Sequence, residues 1–248
     1  MNFFGDILLE TAGIIIIGNE ILSGKVNDIN SPFLCQELRI LGVEVRQIIT
    51  IPDLPEIIGQ TAVDFSKKYT WVFTSGGIGP THDDITISSI ANSFGVGLYE
   101  SPKIIKIIQS FHGKNMTDAH KRMAMIPEGS KLIETLKGRL PQLQFKNIFI
   151  FPGIPEFLKS RFSDIKESFR TTPIVLKEIF INADEGKIAD ILDETLDAYP
   201  KLMLGSYPRV SGENYKVKLT LESRDSLYLE KAFKFLSEKL PKEYLIKY

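Results

Sequence analysis

The sequence predicts an α/β protein, a largely parallel sheet with helices on both faces, followed by a smaller ferredoxin-like α+β unit. Three observations carry this. Residues 13–17 read Gly-Ile-Ile-Ile-Ile and stop at Gly18, a short continuous apolar run of the kind a strand buried on both faces requires. Downstream, such runs alternate with helical periods, which a parallel sheet with right-handed crossovers needs. From Pro173 the order changes to β-α-β-β-α-β, the split βαβ arrangement. The boundary falls between a first domain, 1–171, and a second, 172–248.

The elements follow in order. After the first strand, Ser31 and Pro32 read as an N-cap with proline at N1, with Leu34, Leu38 and Leu41 on one face and Gly42 closing the helix. Val43 to Ile51 reads as the second strand. Asp53 and Glu56 have capping-box spacing ahead of an apolar stripe of Ile58, Ala62 and Phe65. Trp71 to Phe73 is the third strand, running into Ser75-Gly76-Gly77-Ile78-Gly79-Pro80-Thr81, after which Ile87, Ile90, Ala91 and Phe94 repeat at helical spacing. Helices are expected near 102–112 and 117–125, and the polar stretch from Lys137 to Gln144 reads as a mobile flap. Asn147 to Phe151 is a buried strand that turns through Pro152, Gly153, Ile154 and Pro155 into a helix reaching Phe169. In the second domain, strands are expected at 174–182, 201–207, 214–222 and 244–247, with helices at 185–199 and 226–240.

Composition excludes some functions. With 30 Lys+Arg against 31 Asp+Glu in 248 residues, the chain lacks the basic excess that phosphate neutralisation along a nucleic acid demands. Neither part hides one: 1–171 carries 18 of each, and 172–248 carries 12 and 13. The second domain also has no GXXG loop for RNA. Cys35, the single cysteine, can make neither an intrachain disulfide nor a thiolate zinc cluster, and reads as core packing. Lys25 is the first basic residue, so no charged leader precedes an apolar core, and a cytoplasmic location is expected. The apolar run at 14–17 is far below the ~20 residues of a membrane span. His112 and His120 lack metal-ligand spacing and read as surface residues.

Ligands of an open parallel sheet bind beyond the carboxyl ends of its strands, so the loops after the first, third and 147–151 strands should face one crevice. The glycines of the 75–81 loop allow a close backbone approach, and the N–H groups of the following helix start favour phosphate or carboxylate. The segment is neither a P-loop, lacking Lys-Ser/Thr, nor a dinucleotide motif, lacking a third glycine. Asp83 and Asp84 would repel a phosphate unless a divalent cation neutralised them. Oxygen ligands favour Mg²⁺ or Mn²⁺, and His82 leaves room for a softer ion. The alternative is that both acids complement a helix dipole, with Thr81 to Asp84 as a capping box. Glu20 and Asp53 could complete an acidic constellation at the same edge, although Asp53 also reads as a cap and Glu156 as a dipole partner.

Several segments are recognisable: Gly18-Asn19-Glu20-Ile21-Leu22-Ser23-Gly24, Asp28-Ile29-Asn30-Ser31, the run from Ser75 to Thr86, Ile126-Pro127-Glu128-Gly129 and Phe151-Pro152-Gly153-Ile154-Pro155-Glu156. Together they resemble the molybdopterin-binding domain family, including its competence/damage-inducible branch. The chain looks closer to the branch found in two-domain eukaryotic FAD synthases, because of Gly205-Ser206-Tyr207-Pro208 and Tyr215 to Leu221. The resemblance implies a molybdopterin-binding-type sheet and hydrolysis of a nucleotide pyrophosphate, FAD or ADP-ribose, to AMP and the other monophosphate. It implies a divalent metal, Mg, Mn or Co, together with potassium. Adenylated molybdopterin, the ligand elsewhere in the family, shares the pyrophosphate linkage.

On this resemblance Asp84, Asp53 and Glu20 carry catalysis, and Asp84, Asp53 and Asp83 hold the metal. Gly18, Asn19, Ser75, Gly76, Gly77, Gly79, Pro80, Thr81, Thr86, Pro152 and Gly153 bind the ligand. Asn19 stands where Thr or Asp is common, and Gly138-Arg139-Leu140-Pro141 departs from the usual Ala-Pro-Gly flap. The chain ends at Tyr248, so the FAD-synthesising and deamidase activities of longer relatives are not expected. The expected function is a metal-dependent nucleotide pyrophosphatase acting on a small-molecule dinucleotide, with no nucleic-acid or membrane partner, assembled as a homo-oligomer, dimer or trimer. The alternative is a molybdopterin or pterin-nucleotide binding protein without turnover.

Overall fold

The computed structural model describes residues 10–135, 140–209 and 214–246. Its contacts divide the chain into two units, Met1–Thr171 and Thr172–Tyr248. In the first, the elements run β1 (Thr11–Ile17), α1 (Asn19–Leu22), α2 (Asn30–Ile40), β2 (Glu44–Ile51), α3 (Pro55–Lys68), β3 (Trp71–Ser75), α4 (Thr86–Ser93) and β4 (Leu98–Glu100). They continue with α5 (Pro102–His112), α6 (Asp118–Arg122), β5 (Met125–Pro127), β6 (Lys131–Ile133), β7 (Gln142–Phe145), β8 (Ile148–Phe151) and α7 (Pro155–Ile165).

The central sheet has the order β2-β1-β3-β8-β7-β6. Its first four strands are parallel and the last two join antiparallel. The isoleucine run explains the placement of β1 at the middle. Because alternate side chains leave opposite faces of a strand, Ile15 and Ile17 enter one core, with Ile58, Ala62 and Phe65 of α3. Ile14 and Ile16 enter the other, with Leu34 and Leu38 of α2 and Leu158 and Phe162 of α7. Aromatic rings dominate that second core: Phe73 lies 5.6 Å from Phe149, 6.0 Å from Phe162 and 5.1 Å from Phe169. The first unit closes at Thr171, whose N–H donates to Leu41 O at 2.8 Å.

Several boundaries differ from the sequence expectation; α7, for one, ends at Ile165 rather than Phe169. Ser31 does not cap α2. The helix starts at Asn30, two residues before the expected Pro32, and the Asp28 carboxylate accepts from the N–H groups of Asn30 and Ser31 at 2.9 and 3.0 Å. Asp53 and Glu56 do not form a capping box either: Leu54 precedes α3, with Pro55 at its start, and no side chain caps it. Of the expected flap, residues 136–139, which include Lys137, Gly138 and Arg139, lie outside the described residues. Gln142–Phe145 is strand β7, buried against β8.

The second unit contains β9 (Val175–Ile181), α8 (Ala189–Ala198), β10 (Met203–Pro208), β11 (Val217–Ser223) and α9 (Ser226–Lys239). Its antiparallel sheet is ordered β10-β11-β9, over a core that includes Ile181, Leu219, Leu229 and Leu236. The final strand expected at 244–247 reduces to one antiparallel bridge from Leu245 to Ile181. That bridge sits on the edge where the fourth strand of a ferredoxin-like sheet belongs. Among the described residues no helix is long and apolar enough to cross a membrane.

One side chain runs against this packing. Arg161, partly buried on α7, is pushed down to about 10 by desolvation, and no hydrogen bond or ion pair offsets that burial among the described residues. An uncompensated charge of this kind destabilises the folded state. Arg161→Met should therefore raise the melting temperature by about 2–4 °C for each kcal/mol recovered. Scanning calorimetry checks this, and an unchanged or lowered midpoint would show that the guanidinium is compensated.

Candidate functional site

The parallel strands β1, β3 and β8 end side by side, so their loops meet. Gly18 N–H donates to Ile51 O at 3.1 Å and Gly76 N–H to Phe151 O at 3.2 Å, which carries the ladder one residue past the strands. Gly76 and Gly77 then turn with φ of 114° and 65°, a region that L side chains avoid. Space forbids a side chain as well. A Cβ on Gly76 would lie 2.1 Å from Ile17 O, and one on Gly77 would lie 2.3 Å from Thr86 Oγ1.

Thr86 shows why the turn holds. It is fully buried, donates from Oγ1 to Gly76 O at 3.0 Å and from its N–H to Gly77 O at 3.0 Å. Ser75 is also buried, and its hydroxyl donates to Pro152 O at 3.3 Å. Gly153 lies against Gly76, 3.4 Å from the Gly76 Cα to the position a Cβ would take. Ser75, Thr86 and Pro152, expected as ligand contacts, thus hold the loops in place from below, while Gly77, Gly79, Pro80, Thr81 and Gly153 are at least partly open to solvent.

The residue that joins the loops is Asn30, which the motif Asp28-Ile29-Asn30-Ser31 contained but which read only as the neighbour of a cap. It is 6% exposed. Its Nδ2 donates to Ser75 Oγ at 3.0 Å and to Gly153 O at 2.7 Å, while its buried Oδ1 has no partner. One amide thereby ties together the loops after β1, β3 and β8. Nothing in sequence spacing signals it, because its partners are 45 and 123 residues away.

The acids fall into two groups. Asp53, freed from capping, accepts from the Asn19 N–H at 2.8 Å and so pins the start of α1. Glu20 is exposed, and its carboxylate folds over Gly18, where a Cβ would meet Oε1 at 2.4 Å. Asp83 and Asp84 converge on Thr81. The Thr81 hydroxyl lies 2.6 Å from both Asp83 Oδ1 and Asp84 Oδ2, and the Thr81 N–H donates to Asp84 Oδ2 at 2.8 Å. The hydrogen bond from Thr81, aided by a backbone N–H and by His82, holds the Asp83 carboxyl below the usual range. A hydroxyl has one proton to donate, so only one of the two carboxylates receives it at a time. The Thr81–Asp84 turn does not cap α4, which begins two residues later with no acid in its first turn. The dipole role considered for both acids is therefore not the one they play.

These donors are hard oxygens and fit a divalent ion such as Mg²⁺ or Mn²⁺ in chemistry. Their assembly is open: among the described residues no three His, Cys, Asp or Glu side chains gather to hold an ion alone. Beside the turn lies a cleft of about 160 Å³ whose lining includes Gly79, Thr81, Asp84, Ser88 and Arg122. Arg122 reaches across from α6 and donates from Nη2 to Pro80 O at 3.1 Å.

The glycine turn and the carboxylates thus lie at the strand ends of a parallel α/β sheet, where ligands of such sheets bind. The model of the probable molybdopterin binding domain matches residues 13–171, and that of the FAD synthase middle domain matches 173–248. The chain belongs to the molybdopterin binding domain family. It is 32% identical over 227 residues to a protein of Archaeoglobus fulgidus, covering 92% of this chain and 96% of that one. It is 30% identical over 261 residues to a probable FAD synthase of Caenorhabditis elegans, covering 93% of this chain but 50% of the worm protein. The chain therefore spans about half the length of that relative. Among solved structures, CinA of Thermoplasma acidophilum, whose function is described as unknown, superposes with a TM-score of 0.60 at 28% identity, covering 65% of this chain and 99% of that one.

Removing the central amide should loosen all three loops. Asn30→Ala deletes one buried and one part-buried hydrogen bond, at a cost of about 1–3 kcal/mol. Asn30→Asp should cost more, since it sets a carboxylate against the Gly153 carbonyl. Urea midpoints compare the two, and equal midpoints for Asn30→Ala and the parent would show that the amide carries no load.

Proposed function

We propose that the first unit is a metal-dependent nucleotide pyrophosphatase that cleaves FAD or ADP-ribose to AMP and the other monophosphate. The observation that supports this most is the sharing of one turn by two opposite features. Gly77 and Gly79 are partly exposed and carry no side chain, so phosphate oxygens can approach their backbone, and Asp83 and Asp84 stand on the same loop. An anionic ligand and two carboxylates coexist there when a cation separates them.

In this reading Asp84 and Asp53 would hold the ion, Mg, Mn or Co, with Asp83 beside them and potassium as an accessory ion. Bound there, a divalent ion neutralises charge developing on the phosphates and makes water a stronger nucleophile at neutral pH. The chain's own parts do the rest. The N–H groups of the glycine turn orient the phosphates, Asn30 keeps the turn against the loop at Gly153, and Glu20 orients the attacking water and accepts its proton. The likeness to probable FAD synthases supports nucleotide chemistry.

A second reading, binding of molybdopterin or a pterin nucleotide without turnover, has its own support. The Thr81 hydroxyl already sits between Asp83 Oδ1 and Asp84 Oδ2, so a cation placed between the two acids competes with it for those oxygens.

Incubation of metal-free protein with FAD and with ADP-ribose should yield AMP only after a divalent ion is added. Asp84→Asn keeps the shape, and its amide oxygen can still accept the Thr81 N–H, yet turnover should fall at least about 10²-fold, roughly 2.7 kcal/mol of transition-state stabilisation. Asp83→Asn, at an exposed position, should lose less. Full activity in Asp84→Asn removes it from the site, and tight binding with no AMP under any ion selects the second reading.

A further inference from the structure

Four acids crowd the loop ends, yet a nucleotide phosphate needs a cation supplied by the protein itself. Among the residues lining the cleft, Arg122 is the one that carries positive charge. Its neighbourhood leaves that charge available. Asp118, the acid one turn back on α6, is engaged by Lys121 at 2.8 Å, and Arg122 has no carboxylate within ion-pair distance among the described residues. Its one hydrogen bond runs to the neutral Pro80 carbonyl, which uses one of five N–H donors. A fork so anchored, with its remaining donors unused, matches a phosphate in geometry as well as charge.

Thr81, Asp84 and Ser88 line the cleft on the side of the glycine turn, and Arg122 offsets the charge of Asp84 there. Ile87, Leu98, Met123 and Met125 form an apolar wall, and methionine sulfur packs well on aromatic rings. At about 160 Å³ the cleft is smaller than the roughly 300 Å³ at which pockets for whole ligands begin. It therefore has room for one ring and its phosphate, and the remainder of a dinucleotide would extend over the glycine turn.

We propose that this cleft is the subsite for one phosphorylated planar ring, a nucleoside monophosphate half of the substrate, with Arg122 binding its phosphate and the methionine wall packing its ring. The inference rests on the pyrophosphatase reading for its orientation, but its ligand chemistry, an anionic phosphate attached to a flat heterocycle, is shared by AMP and FMN.

Calorimetric titration of the full chain in chelator, without metal, separates it from that reading. AMP or FMN should bind, and whichever binds more tightly names the half that the cleft selects. Arg122→Gln should weaken that ligand at least tenfold while leaving adenosine or riboflavin, which lack the phosphate, unchanged. Arg122→Lys should recover part of the loss. Met123→Gln should weaken phosphorylated and unphosphorylated ligands alike. Parental affinity in Arg122→Gln, or no binding of either monophosphate, overturns the proposal. A protein that binds AMP or FMN through Arg122 yet releases no AMP from FAD or ADP-ribose overturns the hydrolase reading and sustains this one.

Discussion

The site depends on one buried amide. Parallel strands leave their carboxyl ends as separate loops, and nothing in the sheet's hydrogen bonding joins the loop after β1 to those after β3 and β8. Asn30 does so with two donated bonds, to Ser75 Oγ and Gly153 O. Each adds only about 1 kcal/mol net, and the two differ in setting, since Ser75 is buried while Gly153 is exposed. The amide therefore acts less as a source of stability than as a condition on geometry.

The same logic explains the glycine turn. Ile17 O stands 2.1 Å from where any Gly76 side chain would begin, so the close approach of β1 and the β3 loop excludes every other residue there. Thr86 secures the turn from beneath. What remains on the open side is backbone N–H and a set of carboxylates, a surface that is repulsive to phosphate as it stands and attractive once charge is compensated. Thr81 mediates that state by sharing one hydroxyl between Asp83 and Asp84, which keeps the two acids close without a cation.

The layers of the fold were legible in the sequence because they follow from periodicity. Four consecutive isoleucines read as a strand buried on both faces, and they divide two and two between the cores. Helix starts were read less well. Ser31 and Asp53 have the right residue types for caps, yet the α2 cap comes from Asp28, and Asp53 turns toward Asn19. Capping preference is a local statistic, and a tertiary partner overrides it. Strands of three residues such as β4, β5 and β6 are too short to show an alternation and were invisible for that reason. The glycine turn and its acids were legible as a segment. Asn30 and Arg122 were not, since one acts through residues distant in sequence and the other is an ordinary arginine in a short polar helix until the fold places it beside Pro80.

Burial divides the expected site residues by role. Ser75 is 2% exposed and Thr86 0%, so neither reaches a ligand without unfolding the loop it supports, and their contribution is to rigidity. Glu20, Asp83 and Arg122 are exposed and Asp53 and Asp84 partly so, and these carry the charge. A site built in this way separates shape from charge: the buried polar residues fix the loops, and the exposed charged ones face solvent. Substitutions among the charged residues can change ligand or activity while the fold survives, whereas substitutions among the buried ones act on the loops first. The same glycine turn can therefore serve different ligands where the exposed residues around it differ, since a fold by itself does not set a function.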